Sequence, residues 1–233
     1  MSKYTYLKEE AYAGNMMLPR LNLVLFTWGN VSFADHRSGV FAIKPSGVAY
    51  SELEEEDMVI VDFNGNVIEG KLRPSSDTLT HAVLYKEWND IHSVVHTHST
   101  YATSWAQAQK DIPILGTTHA DQTTFDIPCA PPMSDEMITG DYELQTGFQI
   151  INELIRRNIS HQQLSMILLG NHGPFTWGKS VYDAVSNSAI LENMAKMAYL
   201  TLQINAQSPL LKDSLIQKHF ERKHGANSYY GQK

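Results

Sequence analysis

A single cysteine, Cys129, stands among 233 residues. One thiol cannot form an intramolecular disulfide, and it reads as a buried or incidental side chain. Basic residues are also scarce: 18 against 25 acidic ones, for a net charge of −7. That balance argues against nucleic acid, which asks for a basic face. It leaves room for a small anionic ligand, because a few local cations and backbone N–H groups suffice for one phosphate. No run reaches the ~18 uninterrupted apolar residues that a membrane span needs. The first ten residues are polar and carry acidic groups, unlike a signal or transit peptide. The reading is therefore a cytoplasmic protein with no membrane segment. No repeat, low-complexity stretch or linker divides the chain, so residues 1–233 are read as one domain. A hydrophobic share of 42% gives it a sizeable core.

Periodicity and turn chemistry place the elements. Residues 5–19 read as a helix stopping before Pro19. Val40-Phe41-Ala42-Ile43-Lys44 is a strand that follows the turn Asp35–Gly39 and pairs with the strand pattern of Leu25–Phe33, which Trp28-Gly29-Asn30 interrupts. Met58–Phe63 is a strand, and Asn64-Gly65-Asn66 is a tight turn into another from Val67. Pro74-Ser75-Ser76-Asp77-Thr78 opens a helix with Leu79, Val83 and Trp88 near one face. Ser93–Thr97 is a strand and Tyr101–Gln109 a short helix. Pro113, Pro128, Pro131 and Pro132 mark an irregular middle. Tyr142–Asn158 is an amphipathic helix with Leu144, Phe148, Ile151 and Ile155 in register. Met166-Ile167-Leu168-Leu169 is a buried strand, Tyr182–Ile204 a long helix, and His219–Lys233 a polar tail. Strands interleaved with helices, and hairpins among them, predict an α/β fold with a largely antiparallel or mixed sheet.

Ten histidines are many for this length. In Val94-Val95-His96-Thr97-His98, alternate strand residues share a face, so His96 and His98 offer two imidazoles to one ion. His172 follows the strand Met166–Leu169 at the point where a loop can aim it at a cleft. Three histidines with an open position make a catalytic zinc pattern, and Asp77 at a helix start is a possible fourth ligand. Ordinary core or surface histidines are the competing reading of a bare His-x-His. His36, His81, His92 and His161 read as solvated or structural.

Three segments have the make-up of anion cradles. Gly29-Asn30 breaks a strand pattern, and glycine admits a ligand close to the backbone. Lys44-Pro45-Ser46-Gly47 combines a cation, a hydroxyl and a free N–H. Ser75-Ser76 sits at a helix N-terminus, where the helix dipole favours an anion. Each alone is equally a turn or a cap.

Taken in order, Thr27-Trp28-Gly29-Asn30-Val31-Ser32, Ile43-Lys44-Pro45-Ser46-Gly47-Val48, Pro74-Ser75-Ser76-Asp77-Thr78, His96-Thr97-His98-Ser99, Gly116-Thr117-Thr118-His119-Ala120-Asp121, His172-Gly173-Pro174-Phe175, Lys218-His219 and Lys223-His224-Gly225-Ala226 running into Tyr229-Tyr230-Gly231-Gln232 resemble the class II aldolase family, from about Leu18 to Gln232. The resemblance implies a three-layer α/β/α fold with a central, mostly antiparallel sheet. It implies a cyclic homotetramer with active sites between neighbouring subunits. It implies Zn2+ (with Mn2+ or Co2+ also accommodated by imidazoles) on His96, His98 and His172, with Asp77 alongside. The phosphate of a sugar phosphate would lie against Asn30, Ser46, Gly47, Ser75 and Ser76, with Lys44 nearby and Thr117 also on the substrate.

Within the family the chain follows the epimerase branch, implying interconversion of L-ribulose 5-phosphate and D-xylulose 5-phosphate by C3–C4 cleavage and re-formation. The fuculose-phosphate aldolase branch carries Glu where this chain has Asp77. The C4 hydrogen is not adjacent to the carbonyl, so a retro-aldol route avoids a hard proton removal. Such a route needs an acid/base group on each face of the aldehyde. The resemblance assigns these to Asp121 and to Tyr230 of a neighbouring subunit, with His219 orienting Asp121 or relaying a proton. A class II aldolase acting on another L-ketose phosphate is the alternative. The same epimerisation serves arabinose catabolism and ascorbate breakdown.

Overall fold

The computed structural model describes residues 2–226, 228 and 229. Tyr230, proposed from the sequence as an acid/base group, lies outside the described residues.

Helix α1 (Thr5–Arg20) leads into strands β1 (Asn30–Asp35) and β2 (Val40–Ile43). These form the expected hairpin, with Ser32 opposite Ile43 and Asp35 opposite Val40. Strand β3 (Val59–Asp62) and the short β4 (Val67–Glu69) are joined by the Asn64-Gly65-Asn66 turn, whose Gly65 takes φ 88°. Helix α2 (Thr78–Glu87), β5 (Ser93–His96) and α3 (Thr100–Gln107) follow. The proline-rich middle is more structured than the sequence suggested, with α4 (Thr117–Ala120), β6 (Cys129–Ala130) and α5 (Asp135–Thr139). Then come α6 (Tyr142–Arg156), β7 (Met166–Leu169), β8 (Pro174–Gly178), α7 (Val181–Ile204) and α8 (Asp213–His224).

Eight strands make one sheet in the order β4-β3-β2-β1-β5-β8-β7-β6. Among the described residues only the β6–β7 pair is parallel, so the sheet is mixed with a dominant antiparallel part. Alternation along the strands sorts the core into layers. Phe41, Ile43, Val59 and Val61 pack with α2 and α6 on one face. Val31, Val40, Ala42 and Ile60 pack with α1 and α7 on the other. The three-layer α/β/α architecture expected from the sequence is present. Cys129 is buried, and burial pushes its thiol up to about 11.

Three expectations shift. Helix α1 carries Pro19 in its last turn and ends one residue later. A proline is tolerable there because the chain is leaving the helix, and the amides of Leu21 and Leu23 close the end on Met17 and Leu18 carbonyls. Helix α6 buries Gly147, Ile150, Ile151 and Leu154, while Phe148 and Ile155 are exposed. The cause is Gly147: a Cβ there would lie 2.6 Å from Val83 Cβ, so α6 approaches α2 along the glycine and turns Phe148 outward. His219 lies inside α8 rather than in an irregular tail.

Candidate active site

The site is built where β1, β5 and the β7–β8 hairpin end together. Asn30 stands opposite His96 across the β1–β5 pair, and His96 opposite Phe175 across β5–β8. The His96 ring stacks on Phe175 with centroids 4.1 Å apart. Its Nδ1 lies 3.0 Å from the Pro174 carbonyl, which as an acceptor puts the proton on Nδ1 and leaves Nε2 a bare lone pair. Two residues on, His98 brings its Nε2 to 3.0 Å from His96 Nε2. His172 arrives from the hairpin turn, whose Asn171 takes φ 64° and whose His172 amide bonds Leu169. Ligand atoms of His96, His98 and His172 all lie within 4.8 Å of one another.

The three imidazoles are neutral at ordinary pH. Burial, reinforced by the neighbouring rings, drives His96 and His172 down to about 3, with the Asp77 carboxylate opposing the shift at His172. Burial also lowers His98, again against Asp77. Neutral nitrogens converging this closely suit a divalent cation, so the donor set fits a metal. Asp77 stands beside them without joining the three-histidine group; its Oδ2 accepts from Asn30 Nδ2 at 2.6 Å.

The anion segments do converge. Pro45 and Pro74 form an isolated antiparallel bridge, with the Ser46 amide on the Arg73 carbonyl and the Ser75 amide on the Lys44 carbonyl. Asn30 Nδ2 also reaches Ser75 Oγ at 3.1 Å. Gly29 (φ 76°) runs so close to β5 that a Cβ would sit 2.9 Å from the His96 carbonyl. Asn30, Lys44, Ser46, Gly47, Ser75, Ser76, Asp77, His96, His98 and His172 therefore line one cleft of about 550 Å³. Lys44 is 1% exposed, and its ammonium faces the carbonyls of Val48 (2.6 Å), Pro45 (3.3 Å) and Thr27 (3.4 Å). Burial lowers it to about 8.

Thr117, Asp121 and His219 do not line this cleft. Helix α4 packs on α8, and Asp121 is gripped there. Arg222 donates to both carboxylate oxygens (3.0 and 2.7 Å), and His219 Nδ1 lies 3.0 Å from Oδ1. Burial raises the Asp121 carboxyl, but Arg222, His219 and Lys223 together hold it below the usual carboxylate range. Sequence reasoning missed Tyr142 and Glu143, which line the cleft from the start of α6, with Tyr142 Oη 3.5 Å from His172 Nδ1. Their only signal was a position at a helix start.

Residues 9–199 match the family described as Class II Aldolase and Adducin N-terminal domain. The chain belongs to the class II aldolase and adducin family. Among its relatives, L-ribulose-5-phosphate 4-epimerase of Salmonella paratyphi B is 51% identical over 227 residues, covering 97% of this chain and 99% of that protein. An L-fuculose 1-phosphate aldolase structure superposes with TM-score 0.77 at 26% identity, covering 95% of this chain and 97% of that one. The L-fuculose 1-phosphate aldolase from Glaciozyma antarctica PI12 gives TM-score 0.75 at 20% identity, over 94% and 82% of the two chains, a likeness of fold. The sheet order and the cleft at its strand ends are thus the frame of a class II aldolase family member. Among the described residues no helix is long and apolar enough to cross a membrane.

Proposed function

We propose that this chain is a metal-dependent epimerase of the cytoplasm that interconverts L-ribulose 5-phosphate and D-xylulose 5-phosphate. The observation that carries the reading is the meeting, in one cleft, of three neutral imidazoles and an anion cradle, in a chain 51% identical to an L-ribulose-5-phosphate 4-epimerase.

His96, His98 and His172 would hold the ion, Zn2+ by preference, with Asp77 alongside. A divalent ion supplies Lewis acidity toward the ketose oxygens. The remaining chemistry belongs to the protein. Asn30, Ser46, Gly47, Ser75 and Ser76 grip the phosphate, with the Lys44 charge behind them. A base removes the C4 hydroxyl proton, the C3–C4 bond breaks, and its electron pair moves onto the C1–C3 fragment as dihydroxyacetone enediolate. Glycolaldehyde phosphate stays in the cradle, turns its carbonyl, and is attacked on the other face. A second group then returns a proton to the C4 oxygen. Retention by the cradle separates epimerisation from release of both fragments.

The cleft of one chain holds the ion site and the cradle but not Asp121. Asp121 would therefore act on one face of the substrate in a neighbour's cleft, and Tyr230, by family resemblance, on the other, with His219 orienting Asp121 and Thr117 beside the substrate. This requires a homo-oligomer, a cyclic tetramer by family resemblance. Exposed Phe26 and Trp28 near the cleft offer it apolar surface. Ionised Asp121 enters as a base, consistent with its lowered carboxyl.

The test supplies purified protein with L-ribulose 5-phosphate and follows D-xylulose 5-phosphate through a coupled enzyme, with and without chelator. Product that disappears on chelation and returns with Zn2+ is expected. Free glycolaldehyde phosphate in proportion to turnover would replace the epimerase with an aldolase.

A further inference from the structure

Beneath the cleft a polar ladder runs through an otherwise apolar layer between α2 and β1. Asp77, His81 and Tyr85 recur every four residues along one helix face, and Asn30 and Ser32 share one strand face. The upper rung is the bond from Asn30 Nδ2 to Asp77 Oδ2. In the lower rung, Ser32 Oγ lies 2.7 Å from His81 Nδ1 and 2.6 Å from Tyr85 Oη. His81, Ser32 and Tyr85 are at most 1% exposed, so every proton here needs a partner.

Counting protons decides the tautomer. Among the described residues, Ser32 Oγ is the one acceptor in hydrogen-bond reach of the Tyr85 hydroxyl. Tyr85 therefore donates to Ser32, and the Ser32 proton goes to His81. Nδ1 is then an acceptor, and a neutral imidazole carries its single proton on Nε2. The opposite arrangement leaves the Tyr85 proton with no acceptor, whereas this one leaves the His81 Nε2 proton to pair with the ladder's other unpartnered atom.

Two atoms of the ladder are buried without a partner among the described residues: His81 Nε2 and Asn30 Oδ1. The first is now a donor. The second is an acceptor, because only the NH2 end of Asn30 can face the Asp77 carboxylate. They belong to adjacent rungs, and no direct bond joins them. We propose that His81, held as the Nε2–H tautomer by Ser32 and Tyr85, is a positioning residue that donates through one buried water to Asn30 Oδ1, fixing the end of the Asn30 amide that faces Asp77 and Ser75. A water between this donor and this acceptor has the two polar partners that a buried water requires at the least. The role rests on the cleft reading above, since its effect is to hold the Asn30 amide against Asp77 and Ser75 and so keep Ser75 in place at the proposed cradle. The sequence reading treated His81 as merely solvated or structural.

The test has two arms. Magic-angle 15N spectra of histidine-labelled wild-type protein, assigned by loss of one signal in H81Q, read the tautomer directly and need no substrate. A protonated Nε2 with bare Nδ1 at His81 is expected; a proton on Nδ1, or a doubly protonated ring at pH 7, overturns the proposal. In the second arm, a Gln amide at position 81 can place a donor near the Nε2 position, whereas Asn reaches only the Nδ1 position. H81N is expected to raise KM for L-ribulose 5-phosphate roughly tenfold, with a smaller change in kcat. H81Q is expected to restore KM. Equal KM losses in both variants overturn the positioning role. Absence of turnover in the wild-type protein would sink the epimerase reading while leaving the tautomer measurement intact.

Discussion

The two ends of the proposed chemistry are built differently. The histidine centre and the anion cradle are complete within one chain: strand register sets Asn30 against His96, a proline bridge zips the two cradle loops, and one cleft collects them. The Asp121 cluster is equally well made, with a two-pronged Arg222 grip, yet it sits on α4 and α8 outside that cleft. The sheet supplies binding, where rigid register matters. In the proposed reaction the helices at the periphery would supply proton transfer, which would reach a substrate only if a second chain brought it there.

The largest effects should separate these halves. H98A removes one of three neutral ligands and is expected to abolish both metal retention, measured on the purified protein, and turnover. D121N, or Tyr230→Phe, is expected to cut kcat by about 10²–10⁴ while metal content stays at the wild-type level. A D121N protein that loses its metal would erase the division. Mixing closes the comparison. H98A and D121N subunits, each nearly inactive alone, should regain activity when unfolded and refolded together, because a hybrid joins an intact cleft to an intact Asp121. No recovery in verified hybrids would place Asp121 and the cleft in the service of different reactions.

Much of this was legible beforehand, for identifiable reasons. His96 and His98 were readable from the two-residue repeat of a strand, although β5 ends at His96 and His98 meets it from the loop just beyond; the β3–β4 turn was readable because Asn64-Gly65-Asn66 admits little else. The convergence of Ser46 with Ser75 was legible only through the family resemblance: it depends on Pro45 meeting Pro74, a long-range pairing with no local signature. The buried face of α6 was misassigned because the apolar pattern of Phe148 and Ile155 is as regular as that of Ile150 and Leu154. A close approach at Gly147 breaks the tie. Tyr142 and His81 were missed since neither belongs to a motif; each gains its place from packing.

A subtler difference concerns charge within the binding half. Lys44 stands behind the cradle with its pKa lowered to about 8 by burial. As pH rises through that value the ammonium is lost, so kcat/KM for the sugar phosphate should fall by up to about tenfold per pH unit beyond it. K44M should bind weakly throughout and show no inflection there. An unchanged inflection in K44M would assign it to another group.

The smallest effect is on stability, and it again divides the molecule. His81 is neutral in the fold, its pKa depressed to about 3 by burial against an ordinary value of 6.5. As pH falls below about 6.5 the unfolded chain takes up a proton that the folded chain refuses. Stability is therefore lost between about pH 6.5 and pH 3, at most ~1.4 kcal/mol per pH unit for each such imidazole. Asp121 acts in the same direction but in a lower window: its carboxyl is lowered, so its contribution persists until pH falls through the carboxylate range. Urea unfolding of metal-free protein at pH 7, 6 and 5 should show a steady loss, shallower in H81Q by one imidazole's share and unchanged in slope in D121N. A D121N slope that flattens as much as that of H81Q would mean that acid sensitivity is not concentrated beneath the cleft.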